Sequence, residues 1–414
     1  MNIEQIITQT EEQIEQEHKR IHKMVEHNQA KVLEAFQKHR VSDSHFNPTT
    51  GYGYDDFGRD TLEAVYADIF KAEDALVRPQ LISGTHAITT ALFGLLRPGD
   101  ELLYMTGDPY DTLEEVIGKE GTKDTGSLID FGVTYQAVPL SDSGKIDFDA
   151  VSEAVHSKTK VVAIQRSKGY AERPSFTVEE VEEMIANVRG MKQDVIIFVD
   201  NCYGEFVQAR EPIEAGADLI AGSLIKNPGG GIARIGGYIA GRGDLIEQCS
   251  YRLTAPGLGK ETGASLNMLQ EMYQGIFLAP HVVGEALKGA VFTAKFLDTL
   301  GFDTNPSFDA VRTDLIQSVN FDTADQMVRF CQAIQQGSPV NSHVLPHPSP
   351  MPGYEDDVIM AAGTFIQGAS LELTADGPIR PPYTAFVQGG LTYAHVKIAV
   401  TRAAQKLIEE GVLS

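Results

Sequence analysis

Residues 194–200 read Asp194-Val195-Ile196-Ile197-Phe198-Val199-Asp200, and residues 222–231 read Gly222-Ser223-Leu224-Ile225-Lys226-Asn227-Pro228-Gly229-Gly230-Gly231. The first stretch is five consecutive apolar residues closed by a carboxylate, the pattern of a strand buried on both faces. The second sets a lysine directly after another such pattern, over 218–224, and directly before a run of glycines. Strands covered on both faces belong to parallel sheets, and ligands of such sheets bind at the carboxyl ends of the strands. Asp200 and Lys226 thus both stand where a ligand is met. Desolvation there lowers an amine's pKa, and a neutral amine condenses with a carbonyl. A buried carboxylate needs a cationic or donor partner. A protonated pyridine nitrogen is one, and that pairing keeps the ring an electron sink. No His or carboxylate of suitable spacing joins Asp200 as a metal ligand, so no metal is expected.

Outward from these stretches, short apolar runs alternate with helical periodicity. Strands are expected over 101–105, 133–140, 161–165, 195–200 and 218–224, and helices over 61–70, 85–96, 148–156 and 178–188. This alternation predicts an α/β fold with a mainly parallel sheet covered on both faces. An extended segment over 77–82 turns into a helix at Ser83-Gly84-Thr85-His86, which is either a plain N-cap or a phosphate site built from free N–H groups. Ser223, three residues before Lys226, adds a donor to the same phosphate. Tyr110, in Gly107-Asp108-Pro109-Tyr110-Asp111-Thr112, follows the strand ending near Met105 and can cover one face of a planar cofactor. No Walker sequence is present, and Ile232-Ala233-Arg234 after the glycines breaks the GxGxxG spacing of a dinucleotide loop. Arg166-Ser167-Lys168-Gly169-Tyr170 also ends a strand, so Arg166 is expected to line the mouth, and Lys168 is the alternative imine lysine. Cys202, beside Asp200, reads as a small buried residue. Lysine for an imine, aspartate for a ring nitrogen, hydroxyls and glycine for a phosphate and an aromatic ring together describe pyridoxal 5′-phosphate (PLP).

The whole chain supports a large core: 414 residues, 42% of them hydrophobic. Its 34 Lys+Arg against 57 Asp+Glu leave a formal charge of −23, which repels nucleic-acid backbones and anionic lipid surfaces, so neither is an expected partner. Three cysteines without CxxC spacing fit a reducing cytoplasm. The acidic N-terminus lacks a signal-peptide pattern, and no apolar run approaches the roughly 20 residues that span a bilayer. Residues 3–36 read as one amphipathic helix, with Ile7, Ile14 and Ile21 at seven-residue spacing. Its stripe packs on the chain's own body or on a second subunit. The Gly-, Pro- and aromatic-rich segment over 42–58 reads as a loop. Three regions are expected: an N-terminal helix and interface loop (1–60), a large cofactor-binding domain (61–290) and a smaller α+β domain (291–414). The last includes the Pro-rich stretch 338–357 and a final helix near 392–410. There Arg380, set between prolines, offers a bidentate fork to a substrate carboxylate. His343 and His347 are split by Pro346 and read as a solvated loop.

With these residues in view, the sequence resembles the fold-type-I (aspartate aminotransferase-like) PLP-dependent enzymes of the cystathionine/methionine lyase group. The resemblance is to the methionine gamma-lyase-like, aluminium-resistance branch. It is carried by GYGYDDFGRDTLEAVYADIF (51–70), LISGTHAITTALFGLLRPGDELL (81–103), VDNCYGEF (199–206), ADLIAGSLIKNPGGGIARIGGYIAGRGD (217–244) and ADGPIRPPYTAFVQGGLTYAHVKIA (375–399). The resemblance implies Lys226 as the Schiff-base lysine, Asp200 as the ring-nitrogen partner and Tyr110 as the stacking residue. It places Ser83, Gly84, Thr85 and Ser223 in the phosphate cup. It further implies a homodimer or homotetramer in which the loop bearing Tyr52, Tyr54 and Arg59 reaches the neighbouring subunit's phosphate, with Tyr52 also meeting the substrate. Ile225 stands where the better-known lyases carry a hydroxyl, and Asp111 and Thr112 stand where they carry Gly and often Cys. The implied activity is β- or γ-elimination from cystathionine-, cysteine- or methionine-like amino acids. The alternatives are an aminotransferase, an aldol-type lyase, or a PLP-holding protein without turnover.

Overall fold

The computed structural model describes residues 3–119, 124–171, 173–351 and 354–411; two positions of the Pro-rich stretch, 352 and 353, lie outside them. Two compact units result, one of Ala30–Phe277 and one of Met1–Gln29 with Leu278–Ser414.

The first unit is built on seven strands: β1 (Asp74–Arg78), β2 (Glu101–Tyr104), β3 (Thr134–Ala137), β4 (Thr159–Gln165), β5 (Ile196–Asp200), β6 (Leu219–Ser223) and β7 (Gly237–Gly241). Their spatial order is β1-β7-β6-β5-β4-β2-β3. From β3 through β6 every pairing is parallel, while β7 runs antiparallel to both β6 and β1. The sheet is therefore mainly parallel, as the apolar runs of β4, β5 and β6 require. Strand β7 escapes the periodicity argument because Gly-Tyr-Ile-Ala-Gly carries a glycine at each end, and glycine is depleted in strands.

After the N-terminal α1 (Ile3–Lys38), this unit's helices are α2 (Phe57–Phe70), α3 (Gly84–Leu95), α4 (Asp111–Ile117), α5 (Phe148–Ala154), α6 (Val178–Met191) and α7 (Gly243–Leu253). Ala87, Ile88, Ala91 and Leu92 of α3 and Leu245, Ile246 and Cys249 of α7 join Leu219, Ala221 and Ile239 of the sheet in one buried cluster. Full burial of each Leu or Ile there contributes about 1.5–3 kcal/mol. This packing fixes the N-terminus of α3 relative to the sheet, which matters for the site below. A capping box at Thr177 and Glu180 starts α6 where its apolar stripe begins.

In the second unit, α8 (Leu269–Thr299) continues from the first, followed by β8 (Asp303–Asn305), β9 (Ile316–Asn320), α9 (Ala324–Gln336), β10 (Val358–Ala361), β11 (Thr374–Pro378), β12 (Thr384–Gln388) and α10 (Tyr393–Glu409). The five strands form an antiparallel sheet in the order β10-β11-β12-β9-β8. The stripe of α1 is covered by the chain itself: Ile14 is fully buried, and a Cβ on Gly284 of α8 would fall 2.3 Å from Val25. Helix α8 is long and apolar enough to cross a membrane by length and composition alone, and 72% of its most apolar window is buried inside the protein, as in a core helix.

Candidate active site

The carboxyl ends of β4, β5 and β6 lie in register, with Gln165 opposite Asp200 and Asp200 opposite Ala221. Asp200 is buried, and one of its oxygens accepts the Cys202 backbone N–H at 3.1 Å. Burial pushes its carboxyl above the usual range; the Cys202 N–H and thiol, then the Lys226 and Arg173 charges, only partly oppose this. Among the described residues no cation forms an ion pair with it.

Lys226 follows β6 by three residues and enters the short 3-10 turn Asn227–Gly229. That turn is tight enough that a Cβ on Gly229 would sit 1.6 Å from the Leu224 carbonyl oxygen, so only glycine fits. The half-buried lysine carries its Nζ 3.6 Å from the centre of the Tyr203 ring. Burial pulls the amine down, but Tyr203, Cys202 and Asp200 outweigh it, and the balance lies above the ordinary lysine value. The direction differs from the sequence expectation of a lowered amine, because these neighbours outweigh burial.

The N-terminus of α3 closes the site from the other side. Ser83 accepts the His86 N–H at 3.0 Å as its N-cap. A Cβ on Gly84 would stand 3.2 Å from both Cys202 Sγ and the Ser223 Cβ, so the first turn of α3 abuts the ends of β5 and β6. Thr85 Oγ1 and the Tyr110 hydroxyl are 2.9 Å apart, and the Tyr110 N–H donates to Gln165 Oε1 at 2.9 Å. Burial, then the charges of Asp200 and Cys202, raise the Tyr110 phenol well above its usual value. The Ser223 hydroxyl accepts the Ile225 N–H at 3.3 Å.

Lys226, Asp200, Tyr110, Ser83, Gly84, Thr85 and Ser223 are thus gathered around one small space. The remaining candidates of this unit have other partners. Arg166 does not line the mouth: its fully buried guanidinium donates to Asn201 Oδ1 (2.9 Å), the Gly204 carbonyl (2.9 Å) and Gln208 Oε1 (2.8 Å). It builds the turn after β5 instead of meeting a substrate. Arg59 is also turned inward, donating to the Gly53 and Gly263 carbonyls and paired with Asp60, so it fastens its loop rather than reaching outward for a phosphate. Tyr52 and Tyr54 of that loop are exposed and stacked on each other with ring centres 5.3 Å apart. Arg380 is exposed in the second unit and pairs with Asp356 at 3.3 Å. Lys168 is buried, and its backbone N–H donates to the Ser175 hydroxyl.

Tyr203 is the neighbour of Lys226 that sequence reading missed. Its backbone is left-handed (φ 72°), a conformation rare for an aromatic residue and not announced by Gly or Asn. Asn227 holds it there, donating through Nδ2 to the Tyr203 and Glu205 carbonyls at 3.0 and 2.9 Å. The arrangement fits PLP in two respects. Asp200 is a buried acid without an ion-pair partner among the described residues, suited to a ring N–H. The cradle between Gly84, Cys202 and Ser223 is tight for any Cβ, 3.2 Å from both neighbours, and lies at the N-terminus of α3.

Known proteins resemble this chain along nearly its whole length. The methionine gamma-lyase family matches residues 3–408. A Bacillus subtilis protein, YnbB, is 64% identical over 96% of this chain and 94% of its own length. A Listeria innocua structure provisionally described as a cystathionine beta-lyase involved in aluminium resistance is 64% identical, with TM-score 0.96, and covers 98% of this chain and 99% of that one. A carbon-sulfur lyase involved in aluminium resistance from Clostridium novyi is 47% identical, with TM-score 0.94 and coverage of 98% and 96%. The chain belongs to the methionine gamma-lyase family, and with it to the PLP-dependent carbon–sulfur lyases of fold type I.

Proposed function

We propose that the protein catalyses β- or γ-elimination from cystathionine-, cysteine- or methionine-like amino acids. The observation that carries this reading is the meeting of Lys226, Asp200, Tyr110 and the α3 N-terminus at the carboxyl ends of β5 and β6. When bound, PLP supplies an aldehyde for an amine and a ring that withdraws electrons from a substrate's Cα while its nitrogen stays protonated. Asp200 accepts that nitrogen's N–H and holds the proton in place. Gly84 and Thr85 of α3, with the Ser83 and Ser223 hydroxyls, would hold the phosphate, and the Tyr110 ring would lie against the cofactor's ring. The Lys226 amine, freed of its proton, would take the proton from the substrate's Cα. Tyr110, hydrogen-bonded to Thr85, passes a proton to the departing sulfur.

The wider setting follows the same reading. Exposed Tyr52 and Tyr54 meet a second copy of the chain in a homodimer or homotetramer, where Tyr54 contacts the neighbour's cofactor. Arg380 receives the substrate carboxylate; its exposed pair with Asp356 is worth about 0–1 kcal/mol and exchanges readily. Three buried, unpaired cysteines suit a reducing cytoplasm.

The test is an assay of the PLP-loaded protein on L-cystathionine, L-cysteine and L-methionine, following keto acid, ammonia and thiol. Release of all three in equal amounts is expected from at least one substrate. Amino-group transfer to an added keto acid without thiol release would make the protein an aminotransferase, and spectral silence towards every amino acid would make it a cofactor holder.

A further inference from the structure

Arg312 lies in the second unit, on the segment entering β9, four residues before Ile316. It is 8% exposed, and all three guanidinium nitrogens are sealed from solvent without a hydrogen-bond partner among the described residues. The contrast with Arg166 is direct, since that buried guanidinium is satisfied on every side by fixed protein acceptors. A guanidinium presents five N–H donors in a rigid fork, and leaving it buried and unpaired is strongly unfavourable. Burial pushes its pKa down to about 10, against the pull of Asp314, so it is still a cation at neutral pH. Asp314 makes no ion pair with it and instead accepts the Ile316 N–H at 2.9 Å. The surface is one residue away, because Val311 is 73% exposed.

Sheet register adds a second observation. Ile316 pairs with Gln388, and Gln388 with Thr374, so these residues share one end of the antiparallel sheet. Thr374 Oγ1 and Gln388 Oε1 are buried there without partners, as is Ser370 Oγ four residues before Thr374. A buried cationic fork with no protein acceptor among the described residues is the recognition element for a planar oxyanion. We propose that Arg312 anchors an oxyanion-binding site within the second unit, which takes a carboxylate on its guanidinium fork. This goes beyond the lyase reading and needs no chemistry at Lys226.

The test compares melting temperatures of full-length, PLP-loaded wild type, Arg312→Met and Arg312→Lys at constant ionic strength in chloride, acetate, succinate and phosphate. Acetate or succinate is expected to raise the wild type by on the order of 2 °C over chloride. Arg312→Lys, which keeps charge without the fork, should show less than half that rise, and Arg312→Met none. In chloride, Arg312→Met should melt at or above wild type, because an uncompensated buried charge has been removed. An equal carboxylate effect in wild type and Arg312→Met, or none in either, would overturn the proposal. A rise with phosphate alone would overturn the assignment to a carboxylate. If the carboxylate is that of the amino-acid substrate, Arg312→Met also raises KM for L-cystathionine; an unchanged KM assigns the site to a free carboxylate.

Discussion

Glu205 is close enough to Lys226 to feel its charge, yet it is sealed in the core with one oxygen unpartnered and the other accepting the Tyr238 hydroxyl at 2.8 Å. Burial pushes its carboxyl up to about 8. In the unfolded chain the same group loses its proton near 4.5. Between these values the folded state binds more protons than the unfolded one, so stability falls as pH rises through the window. Glu205→Gln removes this titration and should flatten the decline in melting temperature between pH 5 and 8 by several degrees; an unchanged slope would show the carboxyl already ionised. At this scale the sequence discloses some residues and hides others for a physical reason. Asp200 and Lys226 are legible because each ends an apolar run whose burial is itself legible. Tyr203 and Glu205 are not, because a left-handed aromatic and a carboxyl folded under the sheet depend on contacts from Asn227, Tyr238 and Gly222.

Among the elements, α3 joins stability to the site. Its N-cap Ser83 satisfies a backbone donor, while its Gly84 packs closely against Cys202 and Ser223. Ser83→Ala should therefore cost about 1 kcal/mol of stability, as loss of an N-cap does, measurable by urea unfolding. No change in the unfolding midpoint would show that the cap is dispensable. Helices α2, α3, α5 and α6 and strands β2 to β6 follow from periodicity and caps, with ends shifted by a few residues. Strand β7 is set by pairing with β1 and β6 rather than by its own glycine-bounded sequence. The inward turn of Arg166 and Arg59 is likewise a property of the loops they fasten. A strand-end or loop arginine looks the same in sequence whether it faces a ligand or carbonyls.

The whole molecule carries a charge of −23 with an exposed aromatic pair on the loop at 52–54. Tyr52, Tyr54 and the exposed Phe57 form an apolar patch whose burial in a second copy is the proposed assembly. Light scattering should accordingly give a mass at least twice the 45.1 kDa of one chain, and a monomer at micromolar concentration would remove the interface from the account. The parallel sheet and the chemistry at its edge are legible at this scale because both are written in contiguous apolar runs. The central claim is that the Lys226 amine holds PLP while Asp200 meets its ring. The direct measurement is borohydride reduction of the PLP-loaded protein followed by peptide mass mapping, in wild type and Lys226→Ala. The account predicts the cofactor's mass on the peptide containing Lys226 and on no peptide of the variant; a modified peptide containing Lys168, or an unmodified wild type, would contradict it.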